Sequence, residues 1–331
     1  MDASRYSLRG FRDADYGACA ALHNGIFPDH PRTPESLRGE DAALETPSDR
    51  YPRYVVEETS SGALVGVGDL EPNPYQEDPL RPWVFAEVRD DRRRKGIGSE
   101  LLRVLREAAA RRGATGLRCS ARDDRLDDLA YLRKRGFVER RRSWTSVLDV
   151  GAAETVDLPE RLQALAHQGI ECTSLEREGA EDLSVLRRVH EFSIEGGRDM
   201  PRVGPYTPVS FEVFRRLELG GPGFLADAWV LAKEGSRYVG SSVAGRDINR
   251  PGSLHQWATM TRPDYRRRGI AWTLKLLVVD YAKRNRYTRI ETSNDSENVA
   301  MWALNQRLGF RKIGGRVHTE LAFEAPASPR G

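Results

Sequence analysis

Two short stretches carry residue types and spacings that could do chemistry. "RRRKGIG" runs from Arg92 to Gly98 and "RRRGIA" from Arg266 to Ala271, each between an apolar stretch and a helical pattern. A strand that ends in a tight basic turn and opens a helix aims several backbone N–H groups one way. Those groups have no partner within the first helical turn, and the helix dipole adds positive potential there. Gly96 and Gly98 let the backbone approach a ligand where a Cβ would intrude, while the second copy accepts a methyl group at Ala271. A pyrophosphate or another polyanion fits such a turn. Neither stretch is a P-loop, because the G-K-[ST] ending is missing. Neither is a dinucleotide fingerprint, because the further glycine spacing and the downstream acid are missing.

The elements around the turns occur twice. After the first turn come the helical "SELLRVLREAAARRG", the strand-like "TGLRCSA", a second helix and "LRKRGF". After the second come "WTLKLLVVDYAKRNRY", "TRIETSN", a helix and "NQRLGF". Arg93 and Arg266, Gly96 and Gly269, Gly136 and Gly309, and Phe137 and Phe310 are each 173 residues apart, the mark of a duplication. Upstream, "YSLRGFRDADYGACAALHN" and "IECTSLEREGAEDLSVLRRVH" each read as strand, turn and helix. "YPRYVVEETSSGALVGVGDL" and "DAWVLAKEGSRYVGSSVAGR" each read as a hairpin. The order predicts an α/β chain with a mixed, mostly antiparallel sheet in each of two modules. The expected bounds are 1–150 and 169–325, with a linker at 151–168 and a Pro/Ser-rich flexible tail at 326–331.

Bulk composition narrows the classes. The chain has 331 residues, 39% apolar and 31% charged, and no apolar run long enough to span a bilayer. The net charge of +3 does not argue for nucleic acid, and arginine outnumbers lysine because only six lysines are present. Cys19, Cys119 and Cys172 are odd in number and far apart, and the six histidines form no metal pattern. The expectation is a cytoplasmic protein with reduced thiols, no metal, no membrane and no nucleic-acid partner.

R-x-x-G-x-G/A after a strand, with "GF" forty residues on, resembles the GNAT superfamily of acyl-CoA-dependent N-acetyltransferases. The resemblance spans nearly the whole chain, one GNAT-like module per half. It implies that the cofactor is acetyl-CoA, another acyl-CoA or a phosphopantetheine thioester. It assigns Arg93, Arg94, Lys95, Gly96, Ile97 and Gly98, and likewise Arg266, Arg267, Arg268, Gly269, Ile270 and Ala271, to the pyrophosphate. Val88 and Thr261, at the strand ends, would meet the pantetheine arm, and the backbone N–H of Met260 would stabilise the oxyanion. Asn298 matches the family's cofactor-contacting asparagine, where the first half has Arg125. The family's usual tyrosine acid is replaced by Leu132 and by Asn305, of which only Asn305 can donate a hydrogen bond.

Counting back to the family's general-base position gives His255 in the second half and Pro82 in the first. His255 is either the base, acting through water, or a histidine packed beside Trp257. Glu87, in the first half, is the other base candidate. Asp199 and Tyr206, in "EGGRDMPRVGPYTP", together with Trp257, are expected on the acceptor side; Trp272 and Trp302 are either pocket walls or core. The resemblance thus predicts acyl transfer to the amine of a small-molecule acceptor, mainly in the C-terminal module. Two alternatives stand beside it: a larger acyl group taken from an acyl carrier protein, or a non-catalytic CoA-responsive protein.

Overall fold

The computed structural model describes residues 1–44, 51–71 and 73–323. The expected tail at 326–331 lies outside them. The chain divides into two compact units. The first comprises Met1–Arg141, Val203–Thr207 and Val317–Gly331, and the second Arg142–Arg202 and Pro208–Arg316.

In the first unit the elements are β1 (Tyr6–Gly10), α1 (Tyr16–Ile26), α2 (Pro34–Leu44), β2 (Arg53–Glu58), β3 (Leu64–Glu71), β4 (Trp83–Val88), α3 (Ile97–Ala110), β5 (Gly116–Arg122) and α4 (Leu126–Lys134). β6 (Val138–Asp149) begins here and continues into the second unit. The sheet order is β1-β2-β3-β4-β5, antiparallel except for the parallel pair β4/β5. The chain's last described residues join it beyond β5, where Thr319 Oγ1 donates to the Cys119 carbonyl at 3.1 Å.

The second unit adds α5 (Leu158–Ala166), β7 (Glu171–Ser174), α6 (Leu175–Gly179), α7 (Leu183–Arg198), α8 (Phe211–Phe214), β8 (Trp229–Glu234), β9 (Arg237–Arg246), β10 (Ser253–Thr261), α9 (Ile270–Arg284), β11 (Arg289–Asp295), α10 (Val299–Leu308) and the start of β12 (Arg311–Ala322). Its order is β7-β8-β9-β10-β11-β6, with only β10/β11 parallel. The mixed, mostly antiparallel sheet of each unit is therefore the one expected.

The strands and helices take these places for packing reasons. β9 is buried at every position from Tyr238 to Gly245, so it reads as a continuous small and apolar run and not as an alternation. α9 buries ten residues around its circumference, whereas α3 keeps a solvent face. The close seat of each helix depends on a glycine in the neighbouring strand. A Cβ on Gly240 would lie 2.5 Å from Ile270 Cγ2, and one on Gly66 would lie 2.9 Å from Ile97 Cγ2. The duplication therefore extends to the helix–strand contact that aims each turn.

Candidate functional site

The two turns have one backbone conformation. Arg93 and Arg266 are extended at φ −64°, and Gly96 and Gly269 are left-handed at φ 84° and 87°. Arg94 and Arg267 also take positive φ, 59° and 64°, a conformation that disfavours side chains with a Cβ. The first helical bonds run from Glu100 N to Gly96 O and from Thr273 N to Gly269 O, both 3.0 Å. The N–H groups of Ile97, Gly98 and Ser99, and of Ile270, Ala271 and Trp272, are thus unclaimed by the helix itself. Ile97 and Ile270 are themselves 1% exposed, so their side chains belong to the core and only their backbones can serve an anion.

What surrounds the turns differs. In the first unit Arg93 is ion-paired with Asp128, and Arg94 Nη2 with Asp127 Oδ2 at 3.0 Å. Asp90 and Arg125 extend the cluster, with Arg125 Nη2 3.2 Å from Asp90 Oδ1. Gly98 packs 3.7 Å from Val88 Cγ2, measured from where its Cβ would be. In the second unit the positions 173 residues on from Asp127 and Asp128 are Ala300 and Met301, both uncharged. Arg267 makes no ion pair or hydrogen bond with the described residues. Arg266 Nη2 reaches Asp199 Oδ2 at 2.5 Å, and Arg268 lies over the Tyr265 ring, 4.6 Å from its centre.

A cleft of about 1060 Å3 opens beside the second turn. Its origin is a split in the sheet. β10 and β11 pair from Ser253/Arg289 to Gln256/Thr292 and no further, although β10 runs on to Thr261 and β11 to Asp295. The edges of both strands past that vertex line the cleft, with the turn at one end and α10 alongside. Arg262 N donates to Val239 O at 3.0 Å, so strand alternation turns the N–H of Met260 toward β9 too. The N–H groups of Thr259 and Thr261 then face the gap. Thr261 Oγ1 is buried there with no hydrogen-bond partner. A gap edged by free strand amides and ending at a positively charged helix entrance fits a long ligand with amide links and a terminal polyanion.

The expected site residues fall into three groups. Asp199, Trp257, Met260, Thr261, Arg266, Arg267, Gly269, Ile270, Ala271 and Asn298 line the cleft. Asn298 also caps α10, its Oδ1 accepting from Met301 N at 3.2 Å, a sufficient structural reason for asparagine there. Trp257 is 51% exposed, and α7 closes on the same wall, where a Cβ on Gly196 would fall 2.4 Å from Met260 Sδ. Val88, Arg93, Arg94, Lys95, Gly96, Ile97 and Gly98 form the equivalent turn of the first unit.

His255, Asn305, Arg268 and Tyr206 are not among the lining residues. His255 sits at the paired stretch of β10, opposite Glu291 and 5.8 Å from the Trp257 ring. Asn305 is 0% exposed, with Nδ2 donating to Asn294 Oδ1 at 2.5 Å and Oδ1 unpartnered. Tyr206 belongs to the short segment 203–207 of the first unit, where Thr207 N donates to Tyr75 O at 3.0 Å. Glu87 is buried and held 2.7 Å from His23 Nδ1. Trp272 lines the cleft and donates to Asp157 at 3.2 Å, while Trp302 stands outside the lining, beneath Lys312.

Polar residues also meet at the vertex, where no motif in the sequence marks them. Gln256, Lys275 and Thr292 all line the cleft and are almost wholly buried. Lys275 Nζ bonds Gln256 Oε1 at 2.5 Å, Gln256 Nε2 bonds Ser242 Oγ at 2.8 Å, and Thr292 Oγ1 donates to the Gln256 carbonyl at 2.9 Å. Burial pushes the Lys275 ammonium down to about 7. The available signal was one lysine within the otherwise apolar run "IAWTLKLLVV".

Comparison with known proteins agrees with this architecture. The acetyltransferase (GNAT) family model matches twice, over residues 19–137 and 199–310. The chain therefore belongs to the acetyltransferase (GNAT) family, as a tandem of two modules, and is an acyl-CoA-dependent acyltransferase by class. Its fold is similar to a GCN5-related N-acetyltransferase from Sphaerobacter thermophilus, with TM-score 0.71, 19% identity, and 96% and 95% of the two chains covered. It is also similar to a tandem GNAT protein from the clavulanic acid biosynthesis pathway, with TM-score 0.72, 18% identity, and 97% and 100% covered. No curated protein matches the sequence. Among the described residues no helix is long and apolar enough to cross a membrane.

Proposed function

We propose that the second unit transfers an acetyl or other acyl group from acyl-CoA to the amine of a small molecule, by direct attack on the thioester. The observation that carries this reading is the split between β10 and β11, which runs from a buried polar vertex to the turn at Arg266–Ala271. When bound, acyl-CoA supplies the activated acyl group. The first-turn amides of α9 and the Arg267 guanidinium hold its diphosphate end. Thr259 and Thr261 present gap-facing N–H groups, so in this reading the oxyanion donor is one of these and not Met260. Trp257 lies toward the acceptor, Asp199 is tied to Arg266 at the turn and so serves the diphosphate end instead, and His255 serves the packing of β10 beside Trp257. Holding the amine against the carbonyl can supply much of the rate, since a thiolate leaves readily. The thiols of Cys19, Cys119 and Cys172 fit a reducing, cytoplasmic setting.

The first unit reads differently because Arg93 and Arg94 are both paired there, with Asp128 and Asp127, whereas in the second Arg266 is paired with Asp199 and Arg267 is left open. Calorimetry with CoA tests both statements: one equivalent binds per chain. Arg267→Ala weakens binding by about tenfold, in line with about 1.5 kcal/mol for a charged hydrogen bond. Arg94→Ala leaves binding unchanged. An absence of CoA uptake refutes the reading, and two equal sites refute the assignment to one unit.

A further inference from the structure

Lys275 is placed where no structural need explains it. It projects from α9, 2% exposed, among Leu274, Leu276, Val278 and Val279, and no carboxylate is within ion-pairing distance among the described residues. Its contacts are the amide oxygen of Gln256 and the ring of Phe310, 5.6 Å from Nζ. An uncompensated buried ammonium costs several kcal/mol, and methionine would fill the same space without that cost. The group is not sealed off, because Lys275, Gln256 and Thr292 form the cleft's wall at the point where the two strands part. Gln256 is itself fixed by Ser242, which is bonded to Thr259 Oγ1 at 2.8 Å, so Nζ is held in one place at the vertex.

We infer that Lys275 is the proton donor to the sulfur that leaves during acyl transfer, an inference that rests on the function proposed above. The amine nitrogen forms the new C–N bond and the C–S bond breaks. The departing sulfur takes a proton from Lys275 Nζ, and Nζ regains one from the attacking nitrogen, which must lose one to become an amide. No other reactant is needed and Lys275 ends as it began. Its acidity, near neutral through burial, matches a donor that must give up and recover a proton in each cycle. Gln256 is the positioning residue, since its side-chain Oε1 accepts from Nζ and aims it.

The test compares the full chain with Lys275→Met. In the intact protein, binding of free CoA generates thiolate near neutral pH, seen by its ultraviolet absorbance, because the neighbouring ammonium favours the ionised sulfur. In Lys275→Met that signal is lost, while the CoA dissociation constant moves less than about threefold. Turnover, read as free CoA released with an amine panel, falls by about 100-fold or more. Gln256→Met gives an intermediate loss with a smaller thiolate signal. A thiol that titrates identically in both proteins, or turnover of Lys275→Met within about threefold of the parent, overturns the inference and leaves the acyltransferase reading intact. Failure of the parent to bind CoA removes both.

Discussion

The buried lysine makes stability depend on pH in a direction that can be worked out beforehand. Burial lowers the Lys275 pKa from 10.5 to about 7 and is the single cause of the shift. The groups facing Nζ are neutral: Gln256 on β10 and Phe310 after α10. Between pH 7 and 10.5 the unfolded chain therefore binds more protons than the folded one, and stability rises with pH across that window. Below about pH 7 the folded state carries the full penalty, roughly 5 kcal/mol for a shift of that size. From pH 6 to pH 9 the recovered part is about 2 to 3 kcal/mol. Lys275→Met removes the titrating group, with a packing change of at most about 1.5 kcal/mol and a pH-independent cost of about 1 to 3 kcal/mol for leaving Gln256 Oε1 without its donor. Urea unfolding of both proteins at pH 6, 7.5 and 9 measures the effect. The variant is expected to be the more stable at pH 6, with its advantage shrinking by about 2 to 3 kcal/mol by pH 9. A difference that stays constant over that range refutes a buried, uncompensated ammonium.

The surroundings of the turns and the helix seat give further outcomes. Placing carboxylates at the positions that match Asp127 and Asp128, as Ala300→Asp with Met301→Asp, should weaken CoA binding. Each charge near the surface costs about 1 kcal/mol against a diphosphate, so calorimetry should show a loss of roughly 30-fold for the pair. Gly240→Ala puts a Cβ 2.5 Å from Ile270 Cγ2, and the overpacking should lower unfolding free energy by about 1 to 3 kcal/mol in denaturant titration. Gly269→Ala forces a side chain into φ 87° and should cost about 1 to 2 kcal/mol with a parallel loss of CoA affinity.

Much of the fold was legible because the duplication tied distant segments together. A turn at Gly96 says little, but the same turn at Gly269, with "GF" at the same remove, requires the same strand and helix around each. The alternating hairpins around Ser60–Gly62 and Glu234–Ser236 became β2/β3 and β8/β9, since period-two patterning and a turn suffice for a local pairing. The end of β12 in the first unit and the later part of β6 in the second were not legible. Strand periodicity records which face is buried, and is silent on which neighbour a strand takes.

The site divides along the same line. Backbone devices recur with their glycines, so the two turns share φ values to within a few degrees and could be aligned residue by residue. Side-chain chemistry depends on what long-range packing brings beside them, and there the copies part: Asp127 and Asp128 meet Arg94 and Arg93, while Ala300 and Met301 leave Arg267 open. His255 shows the limit of counting along a strand. The backbone of β10 slips register between Gln256 and Ala258, and each such slip changes which face the residues on one side of it present. Gln256, not His255, therefore borders the cleft, and through it the ammonium of Lys275 is held at the vertex. A duplicated scaffold can keep its turn twice while only one copy leaves the second arginine of that turn without a carboxylate partner, and in the reading proposed here that asymmetry gives acyl transfer to the second unit.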